Sequence, residues 1–451
     1  MQTCSQIRSK WETDVCLGTE LRVTTFIERG GGTYIFKHQE VRKLANESMK
    51  RKYQTTMESF IKTAANNDEG LEEYNLKWSR EDDVLWAVTK NFSLKEEEKE
   101  IKVAAYDLDG TIIDTKSGKA VGKDAHDWRL YAHLVKEKLV KETDRGFFIC
   151  IFTNQAGIKS NYTPEGMIRV KFQQVIRKLA VPCAIFVSCT YGYSRKPSTG
   201  MWKTFLRNVS KSKPIASCSF FVGDAAGRRK DFSDSDRKFA SNCNLDFYTP
   251  EEYFYGDQDN SVRDLPLKGI DTKAMLMNEP PQLLDPPDAL DSLKAGEQQM
   301  IILIGYPGAG KSTFSEAHLT PLGVVRINMD TLGTKAKCYS LAETSLAEGR
   351  SVVIDNTNPR PDSRLPFIDI AKARNVPARA FHFQASNDFA MHMSAVRRNR
   401  GGRMIPPQAY ALYNNGFRKP QLEEGFLDIV SVEFVPVFKD EAHKQAFLEY
   451  T

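Results

Sequence analysis

The stretch "IKVAAYDLDGTIIDT", residues 101–115, decides the fold. Its small and apolar residues from Ile101 to Tyr106 read as a buried strand, and the strand ends in two carboxylates one residue apart, Asp107 and Asp109, with Gly110 tightening the turn behind them. The carboxyl end of a strand is where open α/β sheets bind ligands. Two like charges there repel unless a divalent cation or a shared proton compensates them. Mg²⁺, which prefers carboxylate and phosphate oxygens, suits such a pair.

Outward from this stretch, short apolar runs alternate with helical segments: "GFFICIFTN" (146–154), "CAIFVSCT" (183–190), "SCSFFVGDA" (217–225) and "LDFYTPEEYF" (245–254). Buried parallel strands separated by helices give this signature, so residues 96–255 are expected to form one α/β domain. Several of its strands or turns end in residues of matching chemistry: Thr153 and Asn154, then Lys196 in "SRKP", then Gly223 and Asp224. Nucleophile, acid or base, hydroxyl and amide cradle, lysine and a further metal carboxylate are the groups that phosphoryl transfer through an aspartyl phosphate requires.

Residues 256–297 hold Pro280, Pro281, Pro286 and Pro287 and break both periodicities, so a linker is expected there. A second α/β series opens at "QQMIILIGYPGAGKST" (298–313) and continues through "GVVRIN", "SVVIDNT" and "ARAFHFQA", giving a domain over 298–451. "GYPGAGKS" fits G-x-x-x-x-G-K-[ST] between a strand and a helix. Its Gly305, Gly308, Ala309 and Gly310 would wrap backbone N–H groups around phosphates, Lys311 would bridge the β- and γ-phosphates, and Ser312, followed by Thr313, would meet Mg²⁺.

A phosphate loop alone does not separate kinase from ATPase or GTPase. The next strands do. "RINMDTLG" places Asp330 where a carboxylate can take the proton of an acceptor hydroxyl, and "VVIDNTNP" ends in Asp355 and Asn356, suited to the metal shell or to aligning the acceptor. "AVRRNRGGR" clusters Arg397, Arg398, Arg400 and Arg403 as an arginine lid for the transferring γ-phosphate. No N-K-x-D guanine signature occurs in this half, which favours ATP as phosphoryl donor, or a poorly selective nucleotide site.

Residues 1–95 are polar and weakly periodic and are expected to be an extension, partly disordered, although "ELRVTTFI" and "GTYIF" could pair as strands. Within it "KRKYQTTMESFIK" (50–62) places Gln54, Met57, Phe60 and Ile61 in the pattern of peptides that dock on the replication sliding clamp. Net charge of +5 and pI near 8.6 suit an anionic partner without proving one. Basic residues near the first motifs, such as Arg195, Arg228, Arg229, Lys230, Arg237 and Lys238, could hold backbone phosphates. Eight cysteines without a C-x-x-C pair read as reduced thiols of the cytosol or nucleus. No apolar run approaches the roughly 20 residues that span a bilayer.

In order and chemistry, residues 101–255 resemble the haloacid dehalogenase superfamily of phosphatases. That resemblance implies that Asp107 attacks phosphorus, Asp109 protonates the leaving oxygen and later activates water, Asp224 helps hold Mg²⁺, and Thr153 and Lys196 bind the phosphoryl group. With "SRKPSTGMW", "FVGDAAGRRKDFSDSDRKFA", "GYPGAGKSTF", "MDTLGT" and "IDNTNP" in succession, residues 101–435 resemble the eukaryotic polynucleotide kinase 3′-phosphatases. This implies two parallel-sheet domains, a haloacid dehalogenase-like Rossmannoid phosphatase and a P-loop kinase, using Mg²⁺ and ATP on DNA with 3′-phosphate and 5′-hydroxyl ends. A monomer acting in the nucleus is expected, with an RNA end-healing enzyme of similar parts, or a repair scaffold with vestigial sites, as alternatives. The arginine and Ser-x-x-His pattern of a forkhead-associated domain, which begins vertebrate members, is not found in residues 1–95.

Overall fold

Two mostly parallel sheets account for the strands expected from the apolar runs. The structure, a computed structural model, describes the strand pair Thr24–Arg29 and Gly32–Lys37 and residues 71–451 apart from 95, 159–162, 259–260 and 263–264. Residues 1–72 and 73–451 form two separate units. In the first, the strand pair is an antiparallel hairpin running in register from Thr24 opposite Lys37 to Arg29 opposite Gly32. The clamp-like peptide carrying Gln54, Met57, Phe60 and Ile61 lies outside the described residues.

The first sheet of the second unit has seven strands: β1 (Leu76–Glu81), β2 (Val84–Thr89), β3 (Lys102–Tyr106), β4 (Phe147–Asn154), β5 (Cys183–Ser188), β6 (Phe220–Val222) and β7 (Asp246–Tyr248). Their order is β7-β6-β3-β4-β5-β2-β1, parallel from β7 to β5 and antiparallel beyond. Val103, Ala104, Ala105 and Tyr106 have no exposure at all, because helices cover both faces. Helices Val135–Asp144 and Glu165–Leu179 bury Leu139, Phe172 and Ile176 on one face. On the other, helices Gly200–Asn208 and Ser235–Asn242 bury Trp202, Phe205 and Phe239 around Phe152, which stacks on Phe186 at 5.0 Å. Burying one such ring contributes roughly 1.5–3 kcal/mol.

The boundary expected near residue 95 is corrected by β1 and β2, which are part of this sheet. Strand β2 pairs with β5 and buries Val84, Leu85 and Ala87, while Trp78 of β1 meets Phe172 edge-on at 6.0 Å. Strand β1 reads as polar because it is the edge strand and only part of "LKWSRE" is covered.

The second sheet contains β8 (Leu284–Asp285), β9 (Met300–Ile304), β10 (Val325–Ile327), β11 (Val352–Ile354), β12 (Ala378–Phe383) and β13 (Ile429–Val432), in the order β8-β13-β12-β9-β11-β10. All neighbours are parallel except the edge pair β8 and β13. This pair corrects the expected linker, because the prolines break periodicity without keeping the segment out of the core. Leu284, Ala289, Leu290 and Leu293 pack with Phe381 and Val430, and the helix Thr272–Met277 sends Met275 and Leu276 against Phe389 and Phe447. No helix among the described residues is long and apolar enough to cross a membrane, and the described cysteines are all unpaired.

Candidate active sites

Strand β3 delivers Asp107 to the carboxyl edge of the first sheet, where the Asp107 N–H donates to Val222 O of β6 at 2.9 Å. The side chain is 7% exposed, and its Oδ1 accepts from Lys196 Nζ at 2.5 Å. Lys196 Nζ also lies 2.7 Å from Oδ1 of Asp236. Carboxylate oxygens of Asp107, Asp224 and Asp236 all fall within 4.8 Å of one another. Asp236 is not among the sequence-derived candidates. It sits in the first turn of the helix Ser235–Asn242, twelve positions after Asp224, on a segment whose neighbouring lysines and arginines read as a basic patch. Only the turn Gly223–Ser233 folds it back, with its Oδ2 accepting from Ala225 N at 3.1 Å. The close approach also requires glycine: a Cβ on Gly223 would lie 2.5 Å from Asp236 Oδ2, and one on Gly110, held at φ +80°, would lie 2.6 Å from Asp224 Oδ2.

Two buried carboxylates and the half-buried Asp224 facing one ammonium leave excess negative charge. Burial pushes Asp107 up to about 7, with Asp236 and Asp109 adding to the rise and Lys196 opposing it. Burial and the charges of Asp236 and Asp107 push Asp224 up to about 8. Burial depresses Lys196, but the adjoining Asp107 and Asp236 more than restore it, so the ammonium is held charged. Such a donor set of hard oxygens fits Mg²⁺.

Asp109 stands apart from this triad. Its Oδ1 accepts from Lys171 Nζ at 2.8 Å and its Oδ2 from Gln155 Nε2 at 2.6 Å, so the carboxylate is oriented by two side chains that sequence spacing does not single out. Lys171 hides in the apolar face of the helix Glu165–Leu179, where its spacing resembles that of Ile168, Phe172 and Val175. Gln155 also donates to Thr153 Oγ1 at 3.1 Å, drawing that buried hydroxyl into the same wall. Asn154 works one step away: its Oδ1 accepts from Lys196 N at 2.9 Å and its Nδ2 donates to Lys196 O at 3.3 Å, clasping the backbone that carries the lysine. These groups line a cleft of about 1100 Å³ whose far wall is the loop Thr115–Asp124, between the paired segments Ile113–Asp114 and Arg129–Leu130. Of the basic residues considered for backbone phosphates, Arg195 lines the cleft. Arg228 and Lys230 pair with Glu251, and Lys238 pairs with Asp234.

In the second sheet, β9 runs into the phosphate loop and a helix beginning at Lys311. Gly308 and Gly310 adopt φ +86° and +90°, and a Cβ on Gly308 would meet Ala390 O at 2.8 Å. Ala309 is buried, Ser312 half-buried and Thr313 exposed. Lys311 is 7% exposed, donates to Gly305 O at 2.9 Å and to Tyr306 O at 2.6 Å, and is lowered by burial to about 8 despite the opposing charge of Asp355. Asp330 is exposed on a short helix capped by Asn328, whose Oδ1 accepts from Asp330 N at 2.9 Å and whose Nδ2 donates to Asp355 O at 2.6 Å. Asn356 Oδ1 accepts from Met329 N at 3.0 Å. Asp355 is engaged by Arg326 through Nε at 2.7 Å and Nη2 at 2.6 Å.

The lid arginines divide. Arg397 is exposed, Arg400 reaches Asp440 at 3.1 Å, and Arg398 donates to Ser198 Oγ of the first domain at 3.1 Å. Arg398 and Arg400 are therefore engaged elsewhere in this structure.

Residues 102–254 match the family model described as polynucleotide kinase 3 phosphatase, and residues 300–420 match an AAA domain model. The chain is 33% identical over 356 residues to the bifunctional polynucleotide phosphatase/kinase of Schizosaccharomyces pombe, spanning 78% of this chain and 85% of that one. A putative bifunctional polynucleotide phosphatase/kinase of Acanthamoeba polyphaga mimivirus is 33% identical over 392 residues, spanning 78% and 90%. A polynucleotide 3′-phosphatase of Arabidopsis thaliana is 38% identical over 169 residues, spanning 34% of this chain and 24% of that protein.

Proposed function

Because the chain belongs to the bifunctional polynucleotide phosphatase/kinases, we propose that it removes 3′-phosphate from DNA strands in its first domain and phosphorylates 5′-hydroxyl ends with ATP in its second. The observation that carries the first activity is Asp107 buried against Lys196 with Asp224 and Asp236 converging on it.

An oxygen of Asp107 attacks the terminal phosphorus, forming an acyl phosphate as the bond from phosphorus to the strand's 3′-oxygen breaks. Asp109 enters this step as the acid, gives its proton to that oxygen and is left as the carboxylate that Lys171 and Gln155 hold. It then takes a proton from the water that attacks the acyl phosphate, so inorganic phosphate leaves and Asp107 is regenerated. Lys196 and Thr153 steady the charge on the transferring oxygens. Asp107, Asp224 and Asp236 would hold Mg²⁺, which when bound neutralises charge shared between their carboxylates and the phosphoryl group. In the second domain the 5′-hydroxyl oxygen attacks the γ-phosphorus of ATP, Asp330 takes the hydroxyl proton, and ADP leaves with Lys311 and the loop amides on its phosphates. Of the lid arginines, the exposed Arg397 is the one proposed to serve the γ-phosphate. The products are the ends a ligase joins, and the setting proposed is strand-break repair in the nucleus.

An oligonucleotide labelled at both termini tests this. Asp107→Asn is expected to abolish 3′-phosphate release and spare 5′-phosphorylation, and Lys311→Ala to do the reverse. Joint loss in either folded variant would contradict separate sites. Preference for RNA over DNA of equal sequence would move the substrate to RNA.

A further inference from the structure

The loop Arg195–Thr199, which carries Lys196, is held from both sides, and one side belongs to the kinase half of the chain. From within the phosphatase domain, Asn154 clasps the Lys196 backbone. From the other direction come residues 200 or more positions away. Thr199 Oγ1 donates to Glu449 Oε1 at 2.6 Å, and Arg398 Nη2 donates to Ser198 Oγ at 3.1 Å. Asn242 Nδ2 donates both to Pro197 O and to Tyr450 O at 2.9 Å, while its Oδ1 accepts from Tyr450 N at 2.7 Å.

Glu449 is the hub of this junction. The carboxylate is 8% exposed, with Oε1 also 3.7 Å from Lys203 Nζ and Oε2 accepting from Asn399 Nδ2 at 3.4 Å. A buried carboxylate with its oxygens so engaged is rigid, since each partner it lost would leave charge unsolvated. Its shortest bond goes to the phosphatase loop, three residues from the lysine that touches Asp107.

We infer that Glu449, contributed by the kinase half, is a positioning residue of the phosphatase reaction: through Thr199 it fixes the loop that aims Lys196 at Asp107. Lys196 touches Asp107, the oxygen donor of the forming bond, and must hold it in line with the transferring group as that bond forms, so a loosened Lys196 weakens the transition state more than the bound substrate. The inference rests on the phosphatase reading above. It adds that the first active site is complete only with the last turn of the second domain in place.

The test uses the full chain as Glu449→Ala, Glu449→Gln and Thr199→Val single variants and the Glu449→Ala/Thr199→Val double variant. Phosphate release from a 3′-phosphorylated oligonucleotide is measured with 5′-phosphorylation and thermal midpoint on the same preparations. Glu449→Ala is expected to lower phosphatase kcat about tenfold, the weight of one hydrogen bond to a charged group, with KM and the kinase rate unchanged. Glu449→Gln keeps an acceptor for Thr199 and should recover most of the rate, and the double variant should be no slower than the worse single one. An unimpaired phosphatase in a folded Glu449→Ala variant overturns the inference alone. So do losses that multiply in the double variant, or parallel loss of both activities with a lowered midpoint, which would make Glu449 a domain fastener. If the unaltered chain releases no phosphate, the reading of the site falls and the inference with it.

Discussion

Replacing Gly110 by alanine attacks the phosphatase site through one methyl group. The backbone there sits at φ +80°, and the new Cβ would stand 2.6 Å from Asp224 Oδ2 where ordinary contact begins at 3.4 Å. The carboxylate must therefore retreat by about 0.8 Å, beyond the roughly 0.2 Å tolerance of a metal–ligand distance, and a misplacement near 1 Å costs on the order of a hundredfold in rate. The left-handed backbone adds about 1–2 kcal/mol of strain, worth a fall of roughly 2–8 °C in midpoint for a domain of this size. Gly256→Ala isolates that second effect, since Gly256 has φ +72° and nothing within 4 Å of its Cβ. Steady-state phosphate release across a Mg²⁺ titration should show Gly110→Ala slowed about a hundredfold and needing more Mg²⁺. Gly256→Ala should keep its rate, and 5′-phosphorylation should be normal in both. A folded Gly110→Ala enzyme with the original rate and Mg²⁺ requirement would refute the placement of Asp224 against this turn.

Asp236→Asn removes one of the converging carboxylates and a Lys196 partner, so 3′-phosphate release should fall at least as far as in Gly110→Ala while the kinase persists; full phosphatase activity would remove Asp236 from the site. Asp107 and Asp224 are raised to about 7 and about 8, so their contribution to stability is fully present below the ordinary carboxylate range and is lost as pH rises through those values. Scanning calorimetry should accordingly show Mg²⁺ raising the thermal midpoint more at pH 8.5 than at pH 6, and an equal rise at both would contradict the shifts. Lys311, lowered to about 8, must be protonated to meet phosphates, so KM for ATP should climb as pH passes upward through 8. A KM flat to pH 9.5 would show that Lys311 stays charged.

Much of this architecture was legible because both sheets are mostly parallel. Helices cover both faces, so strands such as Cys183–Ser188 and Met300–Ile304 are buried at every position and almost wholly apolar, and announce themselves. Asp107, Asp224 and the phosphate loop stand directly after such strands and inherit that clarity. Strand β1 did not, being an edge whose Lys77, Ser79 and Arg80 face solvent, and β8 is only two residues long. Lys171 and Asp236 are hidden for another reason. Each is a charged residue on a helix, where the ordinary expectation is solvent, and each is buried only because its partner comes from a distant segment: Asp109 lies 62 residues from Lys171. The division of the lid arginines depends on the same kind of information, since Ser198 lies 200 residues from Arg398.

The two sites meet a common requirement with opposite charge. In the first, burial and mutual repulsion raise the carboxylates, and a bound cation would compensate the cluster. In the second, Lys311 is the buried charge, depressed by burial and satisfied for the moment by Gly305 O and Tyr306 O. A phosphate entering the loop offers that ammonium stronger acceptors than two neutral carbonyls, so binding draws the lysine outward and raises its proton affinity together. On the proposed reading each pocket carries an electrostatic imbalance that its own ligand would relieve, Mg²⁺ in one and a polyphosphate in the other.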